Sequence, residues 1–302
     1  MDKLLYCLAR VLVACVQILP LTWVARLGRA GGALAYWLDA RHRRVVLLNL
    51  AMCFGREKPP EEIRALAREN FRRIGENYLC AVRSAADTKA EVRSYLEVVG
   101  TERIAPPPAG QNPHSLVLAI GHFGNFELNA RLGQFIPYQV VTTYRSLPHP
   151  SVNRLLQSLR EQTGCIYLER RTGAAALKSI MNQSGILLVL LADQRAGGSG
   201  IDLPLFGRAC PTSTAPAVFA RRYHCALHPA ICYRVDLARW RIEIGPEIPT
   251  RNDGSSRSTE EITRDINRAY EAAIRHDPAN WFWVHNRWKL TNAAAESRRT
   301  QT

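Results

Sequence analysis

From Ser115 onward the chain repeats one rhythm: a short apolar run, a turn, then a stretch of helical character. The runs SLVLAI, YQVVTTYR, CIYLE and GILLVLLAD are almost continuously hydrophobic, whereas a strand with one wet face alternates apolar and polar residues. Between them lie FELNARLGQF, SVNRLLQSLREQTG and TGAAALKSIMNQS, each read as helical. Strands buried on both faces and separated by helices predict an α/β fold with a mixed, mostly parallel sheet flanked by helices. Further on, LHPAICYRVD and RWRIEIG predict consecutive antiparallel strands. STEEITRDINRAYEAAIRHD predicts a helix capped by Ser258 with Glu261 three residues later. Upstream, PPEEIRALARENFRRIGENYLCAVR predicts an amphipathic helix entered through Pro59-Pro60 and two acids. The chain has 302 residues and neither repeats nor a low-complexity linker. One such domain with appendages accounts for that length.

The first 44 residues differ in character. They are apolar from Leu4 to Leu38 but interrupted by Arg10, Pro20, Arg26 and Arg29. The uncharged run from Val11 to Ala25 is shorter than the roughly 20 residues of a clean span. No small-residue cleavage site follows an apolar core, which argues against a removed signal peptide. Tyr36, Trp37 and Arg41-His42-Arg43-Arg44 have the aromatic-plus-basic character of a membrane interface. Residues 1–44 are therefore expected to be a membrane-anchoring segment that embeds in or marginally spans the bilayer. A pair of buried core helices is the alternative. The main domain then occupies 45–292, and 293–302 form a frayed tail.

The formal charge of +14 implies an anionic partner. Nucleic acid, an anionic membrane, a phosphorylated lipid and an acidic carrier protein all qualify. No zinc finger, RNP-like motif or other nucleic-acid reading element is present, so nucleic acid is set aside. The eight cysteines are scattered without C-x-x-C or zinc spacing, which predicts reduced thiols and no metal site. Nor does GGSG around Ser199 complete the G-x-S-x-G elbow of a serine hydrolase.

The chemistry-bearing stretch is VLAIGHFGNFELNARLG (Val117 to Gly133). An apolar run ends at Gly121-His122, and Glu127 follows at the start of a helical stretch. In parallel sheets, ligands gather beyond the carboxyl ends of the strands, where His122, Arg145 and Asp193 all fall. Glu127 is expected to fold back and accept one ring N–H of His122, fixing the tautomer and leaving the other nitrogen free as a base. A satisfied histidine at a strand end is the alternative reading of these facts.

GHFGNFEL resembles the H-x4-(D/E) signature of the lysophospholipid acyltransferase superfamily, and more narrowly the late acyltransferases of lipid A biosynthesis. The resemblance takes in the N-terminal apolar segment, NLAMCFG (Asn49 to Gly55), Tyr144-Arg145 and LADQ (Leu191 to Gln194). It continues through PLFGRACPTSTAPAVFARR (Pro204 to Arg222) to NWFWVHNRWK (Asn280 to Lys289). It implies a glycerol-3-phosphate acyltransferase-like fold and an O-acyltransferase needing no metal or cofactor. The donor would be an acyl carrier protein or coenzyme A thioester. The acceptor would be a lipid A precursor or another glycolipid, met at the cytoplasmic face of the bacterial inner membrane.

By the same resemblance His122 is the general base and Glu127 its orienting acid. Asn125, Arg145, Arg171 and Asp193 are expected to bind substrate: guanidinium chemistry lets Arg145 grip a phosphate or the developing oxyanion, Arg171 with Arg170 before a Gly-opened helix does likewise or forms a solvated basic face, and Asp193 shapes the pocket or caps a strand end. His285 is read as structural. One departure is Arg195, which opens a glycine-rich loop where the family pattern usually differs, beside the acceptor or acyl pocket. Two alternatives stay open: acyl transfer from coenzyme A to another glycolipid or phospholipid, and a non-catalytic lipid-binding homologue.

Overall fold

A computed structural model describes residues 2–106, 113–197, 200–252 and 254–289. The expected tail, 293–302, and Ser199 lie outside the described residues. The chain opens with helices α1 (Asp2–Gln17), α2 (Leu21–Leu38), α3 (Ala40–Phe54), α4 (Pro60–Ser84) and α5 (Lys89–Tyr95). Strand β1 (Leu96–Val99) precedes β2 (Leu116–Ile120), a 3-10 helix over Phe126–Gln134 and β3 (Gln139–Tyr144). Then come α6 (Pro150–Glu161), β4 (Ile166–Glu169), α7 (Ala174–Met181) and β5 (Ile186–Leu191). A hairpin of β6 (Ile201–Leu205) and β7 (Arg208–Thr212) leads to α8 (Ala215–Arg222), β8 (Ala226–Asp236), β9 (Arg239–Ile244) and α9 (Thr259–His276).

Seven strands form one sheet in the order β1-β9-β8-β2-β5-β3-β4. From β8 through β4 all neighbours are parallel, and β9 turns back antiparallel against β8. The expected α/β architecture with a mostly parallel sheet is what the chain adopts. β2 lies between β5 and β8 and is buried along its whole length. Val117 and Ala119 pack into one layer with residues of α3, α4 and α9, and Leu116, Leu118 and Ile120 into the other. Because side chains alternate across a strand, a segment buried on both faces has no polar position to offer. That explains the unbroken apolar runs. The helix expected after Pro59 is α4, with Pro60 at its first position and Glu61 and Glu62 in the first turn. α9 begins at the expected capping box of Ser258 and Glu261.

No described helix is long and apolar enough to cross a membrane. α2 instead packs on α4 along Val24, Ala25, Gly28, Gly32 and Tyr36, and α1 lies across α6 and α4. Their outer faces stay uncovered. Of the fifteen exposed large hydrophobic side chains among the described residues, nine fall here: Leu8, Val11, Leu12, Ile18, Trp23, Leu27, Leu34, Trp37 and Leu38. Leu8, Val11 and Leu12 share one face of α1, and Trp23, Leu27, Leu34, Trp37 and Leu38 share one face of α2, which gives each helix an apolar stripe.

Candidate active site

β2 and β5 run in parallel register with Ile120 opposite Leu191, and the ladder extends one step as Ala192 N–H donates to Ile120 O at 3.0 Å. His122 and Asp193 therefore leave the sheet side by side. Gly121 makes room for this, since a Cβ there would stand 2.6 Å from the Phe123 ring and 3.1 Å from Asp193 Cβ. Gly124 turns the chain in the left-handed region at φ +51°, where a Cβ would meet Cys232 O at 2.5 Å.

Asp193 Oδ1 lies 2.7 Å from His122 Nδ1, and Oδ2 accepts the His122 backbone N–H at 2.8 Å. The indole N–H of Trp281 reaches the same Oδ2 at 2.8 Å. The carboxylate is buried, 1% exposed. Burial would push Asp193 upward; the charge and hydrogen bonds of His122, with the Trp281 N–H, outweigh it and hold the carboxyl below the ordinary range. A carboxylate bound in this way fixes the proton on Nδ1, so Nε2 is the free, basic nitrogen. Phe126 stands edge-on to the imidazole at 4.7 Å between ring centres, with Phe282 at 5.8 Å.

The expected hydrogen bond from His122 to Glu127 is absent. Glu127 instead accepts from Arg160 at the end of α6, at 2.6 Å and 3.3 Å. Two physical reasons account for this. The backbone after Asn125 winds as a 3-10 helix, and a permanently charged, two-pronged guanidinium competes better for a carboxylate than a single imidazole N–H does. Burial lowers Arg160, but Glu127 more than offsets it and the net shift is upward. The rings of Tyr167 and Tyr144 lie 5.0 Å and 5.8 Å from its guanidinium carbon. Burial, helped by the Glu127 charge, pushes the Tyr78 phenol up to about 12.

His122 and Glu127 line one cavity of about 860 Å³ with Asn125 and Arg145. Its walls include Tyr78, Ala81 and Val82 of α4, Leu156 and Leu159 of α6, and Leu177 of α7. Asn125 is buried, and its side-chain amide nitrogen has no partner. Arg171 does not line the cavity; its backbone N–H donates to Glu169 at 2.7 Å, and Arg170 faces the cavity in its place. Asp193 lies behind the histidine, holding it, and is not a cavity wall. His285 does line the cavity, and its Nε2 accepts the Arg195 backbone N–H at 3.0 Å. Burial holds this imidazole below its ordinary range, as an accepting nitrogen requires.

Sequence reasoning missed Arg160, the Trp281 indole and two asparagines that anchor the C-terminal segment. Asn49, inside NLAMCFG, donates to Trp283 O and His285 O, each at 3.0 Å. Asn70 of α4 donates to Ala279 O at 2.9 Å and Trp281 O at 2.6 Å. Trp281 and Trp283 are core residues, 2% and 0% exposed, and pack behind the site.

A profile of the bacterial lipid A biosynthesis acyltransferases matches residues 2–290. The chain belongs to this family. Among lipid A acyltransferases and their relatives, the lipid A biosynthesis lauroyltransferase of Escherichia coli (strain K12) is 26% identical over 286 residues, covering 93% of this chain and 90% of the relative. The phosphatidylinositol mannoside acyltransferase of Mycolicibacterium smegmatis is 25% identical over 246 residues, covering 80% and 77%. A solved structure, the 1-acyl-sn-glycerophosphate acyltransferase PlsC of Thermotoga maritima, aligns at a TM-score of 0.39 with 11% identity, over 85% of this chain and 99% of that one. That likeness is too distant to argue from. Family membership makes this chain an enzyme that transfers acyl groups in lipid A or glycolipid synthesis.

Proposed function

We propose that the chain moves a fatty acyl group from a thioester, carried by acyl carrier protein, to a hydroxyl of a lipid A precursor. The observation that carries this reading is the pairing of His122 with Asp193: one ring nitrogen is bound to a buried carboxylate, and the histidine lines the cavity. Nε2 takes the proton of the acceptor hydroxyl as its oxygen attacks the thioester carbonyl. The tetrahedral oxyanion collapses, the carbon–sulfur bond breaks, and the leaving thiolate takes the proton back from the imidazolium. An ester and a free thiol result, and the histidine ends neutral. Asp193, a buried carboxylate held against the ring, stabilises the imidazolium between the two transfers.

Glu127, held by Arg160 on the same cavity, positions the acceptor. Asn125 and the backbone N–H groups around it supply donors for the oxyanion. The apolar walls from α4 and α6 receive the acyl chain. The stripes of α1 and α2 lay the enzyme on the cytoplasmic surface of the inner membrane, in the plane of the interface and without a span, with the basic surface facing anionic headgroups.

The test is acyl transfer by detergent-purified protein, read by mass spectrometry of the acceptor. Acyl carrier protein and coenzyme A thioesters are offered against a lipid A precursor and a plain phospholipid. A gain of one acyl chain on the precursor, abolished in His122→Ala, is the expected result. Transfer that survives His122→Ala would reject the mechanism, and transfer only to the phospholipid would reject the acceptor.

A further inference from the structure

Three cations line the cavity with no carboxylate against them among the described residues. β5, β3 and β4 run side by side and parallel, so residues that leave their carboxyl ends emerge along one rim. Arg195 follows β5, Arg145 follows β3, Arg170 follows β4, and all three line the cavity. Arg170 N–H donates to Tyr144 O at 2.9 Å, which keeps Arg170 abreast of Arg145. Among the described residues, none of the three guanidinium groups has a carboxylate partner. The acids at this rim are engaged: Glu127 by Arg160, Asp193 by His122 and Trp281, and Glu169 by the N–H groups of Arg171 and Thr172.

Arg195 is held unlike the other two. Its N–H is bound to His285 Nε2, it pairs across an isolated antiparallel bridge with Thr212, and the next N–H, of Ala196, donates to Pro211 O at 3.0 Å. Thr212 and Pro211 are in turn fixed by the buried Arg287, at 2.9 Å and 2.6 Å. A solvated arginine on a glycine-rich loop needs none of this. A partly buried guanidinium without an anion is costly, and here the backbone beneath it is braced from both sides, two residues beyond Asp193. Three arginines on one rim, Arg145 and Arg170 exposed and Arg195 half-buried, fit a phosphate group, whose oxygens can occupy several forks together, better than a single carboxylate.

We propose that Arg195 is a specificity-determining residue that, with Arg145 and Arg170, holds a phosphate-ester group of a substrate in the cavity of His122. The proposal rests on the acyl-transfer reading of this site. The phosphate belongs either to the acceptor lipid or to the phosphopantetheine arm of the donor, and the shared chemistry is what Arg195 recognises.

The first arm of the test needs no turnover. Inorganic pyrophosphate is titrated calorimetrically into the detergent-purified wild type, Arg195→Ala, Arg195→Lys and, as a charge control, Arg264→Ala. Arg195→Ala is expected to bind about tenfold more weakly, Arg195→Lys in between, and the control like wild type. Equal binding by Arg195→Ala and wild type overturns the proposal whatever reaction the enzyme performs. In the second arm, acyl transfer is measured with phosphorylated and dephosphorylated acceptors and with coenzyme A and pantetheine thioesters. A KM raised about tenfold for the phosphorylated acceptor alone assigns the phosphate to the acceptor; one raised for the coenzyme A thioester alone assigns it to the donor. Unchanged KM values throughout overturn the specificity role. If wild type transfers no acyl group, the reaction reading fails, and the titration still decides for or against Arg195.

Discussion

Asp193 stands 71 residues beyond His122 in sequence and accepts hydrogen bonds from both its ring and its backbone. Replacing Asp193 by Asn keeps the shape, removes the charge and can offer the ring an N–H where an acceptor is needed. Turnover in Asp193→Asn is expected to fall by on the order of 10³ with little change in KM. Steady-state kinetics check this, and a loss confined to KM would refute it.

Glu127 and Arg160 give a contrasting expectation. Glu127→Gln and Arg160→Ala should each lower kcat/KM, by about tenfold in Arg160→Ala, where the carboxylate loses its anchor but the histidine keeps its own. The pH profile should keep its acid limb in both. A limb displaced in Glu127→Gln as in Asp193→Asn would mean that Glu127 contacts His122 during turnover.

Acid stability follows from Asp193 as well. Its carboxyl is held below the ordinary range when folded, against about 3.9 when unfolded. Between those values the unfolded chain binds the extra proton. The stabilisation is therefore complete above the unfolded value and disappears as pH falls through the folded one. Urea midpoints of the wild type should drop more steeply below about pH 4 than those of Asp193→Asn. Parallel curves would contradict the assignment.

Ala81 lies on the cavity wall one helical turn beyond Tyr78. Ala81→Phe should shift the preferred acyl chain toward shorter lengths. Each methylene excluded from an apolar wall is worth about 0.8 kcal/mol, or roughly fourfold in preference. Competition between thioesters of different length, read by product mass, measures the shift; an unaltered distribution would move the acyl chain to another wall.

The stripe on α2 predicts how the enzyme meets lipid. Leu27→Ser with Leu34→Ser should weaken flotation with anionic vesicles by at least about tenfold, since burying one leucine contributes about 1.5–3 kcal/mol. Turnover on detergent-dispersed acceptor should persist. Undiminished flotation would leave the stripe without a lipid role.

What was legible in the sequence depended on the range over which the physics acts. Apolar runs such as SLVLAI report burial on two faces directly, and the box at Ser258 is a local arrangement of four residues, so β2 and α9 fell where expected. The partner of His122 was different. Glu127, five residues away, is conspicuous in one dimension, whereas the real contact depends on the register that sets Ile120 against Leu191. No spacing rule carries that information. The nine residues after Asn125 suit either an α or a 3-10 helix in composition, and the choice sends Glu127 toward α6. The β6–β7 hairpin escaped notice because Pro204 interrupts the first of its strands. Its turn also places Phe206 at φ 52°, which only the folded context supports.

The Trp281 indole that closes over Asp193 also sets a schedule for the protein's birth. The histidine and its acid are translated long before residue 281, yet the carboxylate lacks one of its three hydrogen-bond donors until that segment arrives and is gathered in by Asn49 and Asn70. Translation must pass residue 281 before the charge pair is fully caged. Half-made chains thus carry the histidine but not its complete setting.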